Sequence, residues 1–392
     1  MALTGPREPV DVDNRQAPMR LAFISDPNSV HTRRWLAWFA AAGHDVRLID
    51  PFGATVAPGL PDGTRVERLP VPVRRVSIIG LWQRRRQLRR LLTQLDTQVL
   101  HGQFIRRYGW QAALTGFHPL VLSPWGSDLL KVRRSQVRTR WWNRFALRRA
   151  DLVTVSSEGM RVAAILAGAR PGRIELIHHG VDTDRFSPGP PSEEIAARIS
   201  ADGQPVIVSP RTIQPLYRQD VVVEAVAQLS VAGRRPVLVL SARGADPAEM
   251  TRVQRLAEAA GIGGQLRVLD DVPHEGLPDL LRLADVVVSV PDSDSFPVTL
   301  LEAMACGRPI VASDLPAVTP VLREIAPLAG SLVAPVGDAT MTARGIERVL
   351  SLGVDDRALL GERLRAYVVR TADYDANMRA MERQYRRLAA DR

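Results

Sequence analysis

Short, wholly apolar runs recur through the chain at intervals that each leave room for one helix. This alternation constrains the fold more than any other feature. Leu21-Ala22-Phe23-Ile24-Ser25 reads as a buried strand. Thr32 to Ala42 follows with helical spacing and stops at Gly43-His44, and Val46-Arg47-Leu48-Ile49 is the next strand. A buried strand, a helix and a second buried strand open a doubly wound parallel sheet. Val99-Leu100, Leu120-Val121-Leu122 and Leu152-Val153-Thr154-Val155 continue the alternation. It starts again at Pro205-Val206-Ile207-Val208-Ser209, with strands predicted at 237–240, 266–269, 286–289 and 309–312. Between the two series, Ser187-Pro188-Gly189-Pro190-Pro191 cannot be regular structure and reads as a linker. The chain is therefore expected to be an α/β protein of two doubly wound, Rossmann-like domains facing a cleft, the place where such folds bind ligands. The expected bounds are 1–187, with 1–18 a polar leader, and 188–371.

Charge divides the same way. The net formal charge is +10. Residues 1–185 hold 29 Lys and Arg against 15 Asp and Glu, whereas 186–392 hold 23 against 27. The whole excess thus belongs to the first half. All basic residues but Lys131 are arginine, a usage that codon bias explains; the uneven placement it does not explain. Two stretches carry much of the excess, Arg84 to Arg90 behind Trp82, and Lys131 to Arg149 with Trp141, Trp142 and Phe145 between the arginines. Both have helix-like spacing. Such faces attract anionic lipid headgroups, phosphorylated substrates or nucleic acid, or are simply solvated. No recognised nucleic-acid motif accompanies them, so nucleic acid is not expected as a partner. The single cysteine, Cys306, excludes an internal disulfide and a thiolate zinc cluster. No apolar run is long enough to span a bilayer, and the leader lacks the apolar centre of a signal peptide, so the expected compartment is the cytoplasm.

The densest chemical signal lies after the strand ending near Val290. An acidic loop, Asp292-Ser293-Asp294-Ser295-Phe296, runs into a helix predicted to start around Pro297 to Thr299. Free N–H groups at a helix start favour a phosphate. Glu302, about one turn in, is placed to accept hydrogen bonds from the two vicinal hydroxyls of a ribose. Asp294 is placed to accept hydroxyls of a sugar beyond the phosphates. Plain capping by Asp294, Ser295 or Thr299 is the alternative. In the first half, the loop Asp26 to Arg34 follows the first strand, so His31 and Arg34 are candidate ligand contacts and Asn28 or Ser29 a candidate cap. It lacks the Gly-x-Gly-x-x-Gly pattern of nicotinamide and flavin enzymes.

These motifs resemble the family 4 glycosyltransferases. Asp294-x7-Glu302 followed by Ala303-Met304-Ala305-Cys306-Gly307 is similar to the family's nucleotide-sugar signature. Further segments agree in order: Trp125-Gly126-Ser127-Asp128, Ala150 to Ser156, Ile177 to Phe186, and Ser209-Pro210-Arg211. The resemblance runs from about Met19 onward. It implies the GT-B fold and retaining transfer of a sugar from a nucleoside diphosphate sugar to a hydroxyl acceptor, with no metal and no further cofactor. It implies that Ser295, Phe296, Pro297, Val298, Thr299 and Glu302 bind the donor and that Arg211 stabilises the leaving diphosphate. Where the family has a lysine six residues later, this chain has Tyr217, with Arg218 adjacent; where it has a histidine, this chain has Trp125. Asp128 and His101 are the replacement candidates for the catalytic group, with turn capping and core packing as their alternatives. Residues 372–392 are expected as a helix crossing back to the first domain, with Met378, Met381, Tyr385 and Leu388 on its apolar face. The acceptor is left open as a lipid, a glycan or a small molecule; the basic half fits one that is lipid-linked or anionic, or one embedded in an anionic surface at the inner face of the membrane. A nucleotide-sugar epimerase on the same fold, or a partner subunit that binds donor without transfer, remains an alternative.

Overall fold

A computed structural model of the chain describes residues 17–69, 78–133, 135–270, 272–326, 330 and 332–391. Residues 1–16 of the expected leader, and Arg134, lie outside them. The chain forms two compact units. Unit 1 comprises Met1–Ile177 and Met378–Arg392, and unit 2 comprises His178–Asn377.

Unit 1 contains β1 (Arg20–Ile24), α1 (Val30–Ala41), β2 (Asp45–Asp50), β3 (Thr64–Arg68), α2 (Ile78–Gln94), β4 (Val99–Gln103), α3 (Trp110–Thr115), β5 (Leu120–Ser123), α4 (Ser127–Leu130), α5 (Val137–Arg149), β6 (Leu152–Val155), α6 (Glu158–Ala167) and β7 (Ile174–Leu176). Its seven strands are parallel in the order β3-β2-β1-β4-β5-β6-β7. Winding reverses between β1 and β4, which makes this a doubly wound sheet. The strands predicted from apolar runs are all present. β3 and β7 are additional. Both are edge strands, and β3 (Thr-Arg-Val-Glu-Arg) carries charge because an edge needs less apolar cover. Between β4 and α3 the chain makes a π-helical turn, Ile105–Gly109. It packs closely: a Cβ on Gly102 would sit 2.9 Å from Gly109 Cα, so only glycine fits there.

The second basic stretch is not one helix. Among the described residues of that stretch, helical structure covers α5 only; ahead of Val137 the Gln136 side chain accepts from Arg133 N (3.2 Å) and Gln136 N donates to Arg133 O (3.0 Å).

Unit 2 contains α7 (Glu193–Ile199), β8 (Val206–Thr212), α8 (Gln219–Val231), β9 (Val237–Ser241), α9 (Pro247–Ala259), β10 (Leu266–Leu269), α10 (Leu277–Leu283), β11 (Val286–Ser289), α11 (Val298–Ala305), β12 (Ile310–Ser313), α12 (Thr319–Ile325), β13 (Val333–Ala334), α13 (Ala339–Leu350) and α14 (Val354–Thr371). Six parallel strands follow the order β10-β9-β8-β11-β12-β13, with the reversal between β8 and β11. Val286, Val287 and Val288 of β11 are wholly buried, each contributing about 1.5–3 kcal/mol of apolar transfer. The Ser187–Pro191 segment is irregular as expected but lies inside unit 2, since Arg282 donates to Ser187 O (2.8 Å) and Arg365 to Phe186 O (3.0 Å). The division therefore falls earlier in the chain than the prolines. α11 is seated on α14 by glycine contact: a Cβ on Gly361 would come within 2.3 Å of Gly307 O.

The final helix, α15, spans Tyr374–Ala390, and its residues from Met378 onward belong to unit 1. Met378, Met381 and Tyr385 are fully buried, with the Tyr385 ring 5.2 Å from Phe39 and 6.5 Å from Phe23. Leu388 is half-buried. Among the described residues, no helix is long and apolar enough to cross a membrane.

Candidate active site

The reversal between β8 and β11 opens a crevice at the strand carboxyl ends of unit 2, where open α/β sheets bind ligands. Arg211 leaves β8 there and Asp294 lies on the loop after β11. They meet as an ion pair, Nη2 to Oδ2 at 2.9 Å, with side chains 15% and 14% exposed. Tyr217, on the turn Pro215–Tyr217, lies under the same guanidinium, 4.1 Å from carbon to ring centre. The phenol stacks on the cation it was expected to replace a partner for, and brings no second charge. Gln219 Nε2 donates to Arg211 O (2.9 Å) and fixes the end of β8.

Arg218 does not turn toward this pair. It adopts the left-handed conformation (φ 50°), and its guanidinium bonds Asp220 Oδ1 and Asp292 Oδ1, both at 3.1 Å. The hydrogen bond to Asp220 raises its pKa above the ordinary arginine value, and its charge is matched within the loop. Asp292 N also donates to Leu216 O (3.0 Å), tying the acidic loop to the Pro215–Tyr217 turn.

Asp294 Oδ1 accepts from Ser295 N (2.7 Å), turning the chain into α11. Ser295 and Phe296 are buried, the phenyl edge-on to His178 at 5.7 Å. Pro297 is the N-cap residue and gives no N–H. The N–H groups of Val298 and Thr299 open the helix without an intrahelical acceptor, and Thr299 Oγ1 is buried with no hydrogen-bond partner among the described residues. Glu302, 4% exposed at its side chain, faces His274, whose Nε2 lies 3.0 Å from Oε1. His274 in turn lines a cavity of about 210 Å³ with Thr212, Ser241, Arg243, Leu269 and Val272. Arg211, Asp294, Tyr217, the α11 entry and Glu302 thus lie at the carboxyl ends of the strands of unit 2. Cys306 ends α11 as a packed thiol, pushed up to about 12 by burial.

The unit 1 candidates have framework positions. Asp128 is fully buried; Oδ1 accepts from Trp125 N (3.0 Å) and Gly126 N (2.9 Å), and Oδ2 from Ile105 N (2.8 Å). Burial raises its pKa, opposed by these three backbone donors. Both oxygens are committed to holding the 125–128 turn on the π-helical turn. His101 is buried in the sheet, with Nδ1 2.5 Å from Tyr385 Oη and Nε2 2.7 Å from Ser123 Oγ. Burial lowers it to about 3, so it is neutral near pH 7. Both ring nitrogens of His101 and both carboxylate oxygens of Asp128 have partners within unit 1. In the loop after β1, Ser29 caps α1, and the His31 ring packs edge-on to Trp125 at 5.7 Å.

Arg243 and His274 escaped sequence reasoning. No spacing ties either to the acidic loop; only the β10-β9-β8-β11 order brings them to its edge. Among the described residues, no group of His, Cys, Asp and Glu is arranged to hold a metal ion.

Two parallel, doubly wound units with this site describe a GT-B glycosyltransferase scaffold, and comparison with known families makes the class specific. The family model "Glycosyltransferase Family 4" matches residues 29–185 and "Glycosyl transferases group 1" matches residues 191–366. The chain belongs to the family 4 glycosyltransferases. A D-inositol 3-phosphate glycosyltransferase of Mycobacterium tuberculosis is 30% identical over 236 residues, 60% of this chain and 48% of that protein. The chain spans about half the length of the curated relatives it matches. A glycosyltransferase structure from Rickettsia africae superposes with a TM-score of 0.77 at 16% identity, covering 94% of this chain and 97% of that one. Anabaena Alr3699/HepE in complex with UDP-glucose gives 0.74 at 15% identity, covering 94% and 99%. At these identities the structures speak for the fold.

Proposed function

We propose that this protein is a retaining glycosyltransferase that moves a sugar from a nucleoside diphosphate sugar to a hydroxyl acceptor without a metal ion. The observation carrying this reading is the Arg211–Asp294 pair beside the α11 entry, with Glu302 one turn into that helix. The cavity beside His274 takes the base and Glu302 the ribose hydroxyls. The diphosphate lies against Arg211 and the N–H groups of Val298 and Thr299. When it takes the guanidinium, Asp294 is released to accept hydroxyls of the sugar. As the bond from the anomeric carbon breaks, its electron pair passes to the phosphate oxygen, where Arg211 balances the charge. The acceptor oxygen bonds on the same face, and its proton leaves on the departing phosphate. Loss of one such donor costs about 10²–10³ in turnover. The test is incubation with UDP-, GDP- and ADP-sugars, with and without EDTA, and an inositol phosphate as acceptor. An inverted anomeric product, or activity abolished by EDTA, refutes the reading. Glu302→Gln weakens nucleotide binding; equal affinity moves ribose recognition elsewhere.

Acceptor recognition falls to unit 1. Its charge, and the inositol phosphate named for the mycobacterial relatives, favour an anionic acceptor or one at an anionic membrane surface. Trp82 on α2 and Trp141 on α5 are 56% and 57% exposed among arginines. Both helices flank α3: Trp110 packs on Trp142 (4.8 Å), and Gly116 at the end of α3 lies against Arg85. Arginines with interleaved tryptophans suit peripheral attachment to anionic lipid from the cytoplasmic side. Absence of co-sedimentation with phosphatidylglycerol vesicles at low salt removes this part.

A second reading, a subunit that binds donor without transfer, is favoured by Tyr217 and by the enclosed positions of His101 and Asp128. Donor binding without turnover on any acceptor of a host extract selects it.

A further inference from the structure

We infer that His274 is the positioning residue of donor recognition, holding the Glu302 carboxylate in the orientation that receives the ribose; this rests on the donor reading above. A carboxylate as deep as Glu302 is tolerated where a donor meets it. Among the described residues, the side chain that reaches it is His274, Nε2 to Oε1 at 3.0 Å. One oxygen is thereby tied. The terminal torsion of Glu302 is fixed before ligand arrives, and the remaining acceptor capacity has a set direction. A carboxylate so directed accepts from two hydroxyls on adjacent ribose carbons without first having to be ordered.

His274 is itself held. It opens the turn His274–Gly276 directly after Pro273, whose ring restricts the backbone, and its imidazole stands edge-on to the fully buried Phe186 at 5.6 Å. The same ring forms a wall of the cavity with Leu269 and Val272. A base in that cavity and a ribose on Glu302 therefore share one side chain. His274 joins the two halves of nucleoside recognition, and pre-orders the second for the first.

The test is calorimetry on the full chain with UDP, GDP and ADP, each beside its 2′,3′-dideoxy counterpart. His274→Leu is expected to weaken the bound ribonucleotide about tenfold and the dideoxy form less than twofold. His274→Asn, too short to reach Glu302, behaves the same way. His274→Gln, whose amide N–H reaches, keeps affinity within about threefold. Equal losses for ribo and dideoxy forms reduce His274 to packing and overturn the inference, as does no loss with either Leu or Asn. The donor reading fails separately if Glu302→Gln leaves the ribo-to-dideoxy ratio unchanged. If no nucleoside diphosphate binds the unaltered chain, both fall. Thermal melts of each variant confirm folding, and the His274 side chain is itself 39% exposed.

Discussion

Changing Tyr217 to lysine places a second cation where the structure has a ring, and its effects on stability and on binding run in opposite directions. The phenol lies 4.1 Å under the Arg211 guanidinium, a contact worth about 0.5–2 kcal/mol. That contribution disappears. The new ammonium also repels Arg211, by about 2–4 kcal/mol at 4–8 Å with an effective dielectric near 20. Asp294, already on Arg211, and the flexible lysine stem relieve most of this. A net loss of about 1–2 kcal/mol is expected, lowering the melting point of unit 2 by about 2–8 °C. A diphosphate reverses the sign, because it adds at least two negative charges between the cations. One extra lysine–phosphate contact is worth roughly 1.4 kcal/mol, or about tenfold in Kd. The assay is calorimetry with UDP, GDP and ADP at low and moderate salt, beside thermal melts. The expected result is tighter binding that shrinks with salt in a less stable protein. A lower melting point with unchanged or weaker nucleotide affinity refutes the placement of Tyr217 at the diphosphate.

Asp128→Ala strips the acceptor from three backbone N–H groups, so unit 1 loses about 3 kcal/mol while nucleotide binding by unit 2 is unchanged; normal stability with lost turnover returns Asp128 to the chemistry. Arg243→Ala, in the wall of the cavity assigned to the base, weakens nucleoside diphosphates and the parent nucleosides severalfold alike; a loss confined to the diphosphates moves Arg243 to the phosphates. His101 has a folded pKa of about 3 against an ordinary 6.5, so the unfolded chain binds the extra proton across that window. Unit 1 therefore loses stability as pH falls from about 6.5 toward 3. His101→Gln flattens this slope in denaturant titrations, and an unchanged slope refutes the assignment.

Much of the fold was legible because buried parallel strands are written as continuous apolar runs. β11 and β12 announce themselves as Val286–Ser289 and Ile310–Ser313. β7 and β13, with three and two residues, are too short to leave a pattern, and β3 reads as polar because it lies at an edge. α15 was legible from the spacing of Met378, Met381 and Tyr385. The site was legible where its residues adjoin in sequence, from Asp294 to Glu302. Arg211 and Asp294 are 83 positions apart, and only their family pattern joined them before strand order did. His101 and Asp128 carry catalytic chemistry as residue types, while their burial and their partners are not visible in a one-dimensional string.

The helix α15 has a further consequence, for synthesis. Unit 2 is inserted within unit 1, whose Phe23 and Phe39 await Tyr385. Until residues 378–391 leave the ribosome, unit 1 keeps an open apolar groove and an unmet His101 nitrogen, while unit 2 already has its whole sequence. The segment 1–177 thus waits for residues that follow the whole of unit 2. Completion of unit 1 follows that of unit 2 in the order of translation, and a waiting apolar groove is the kind of surface chaperones cover.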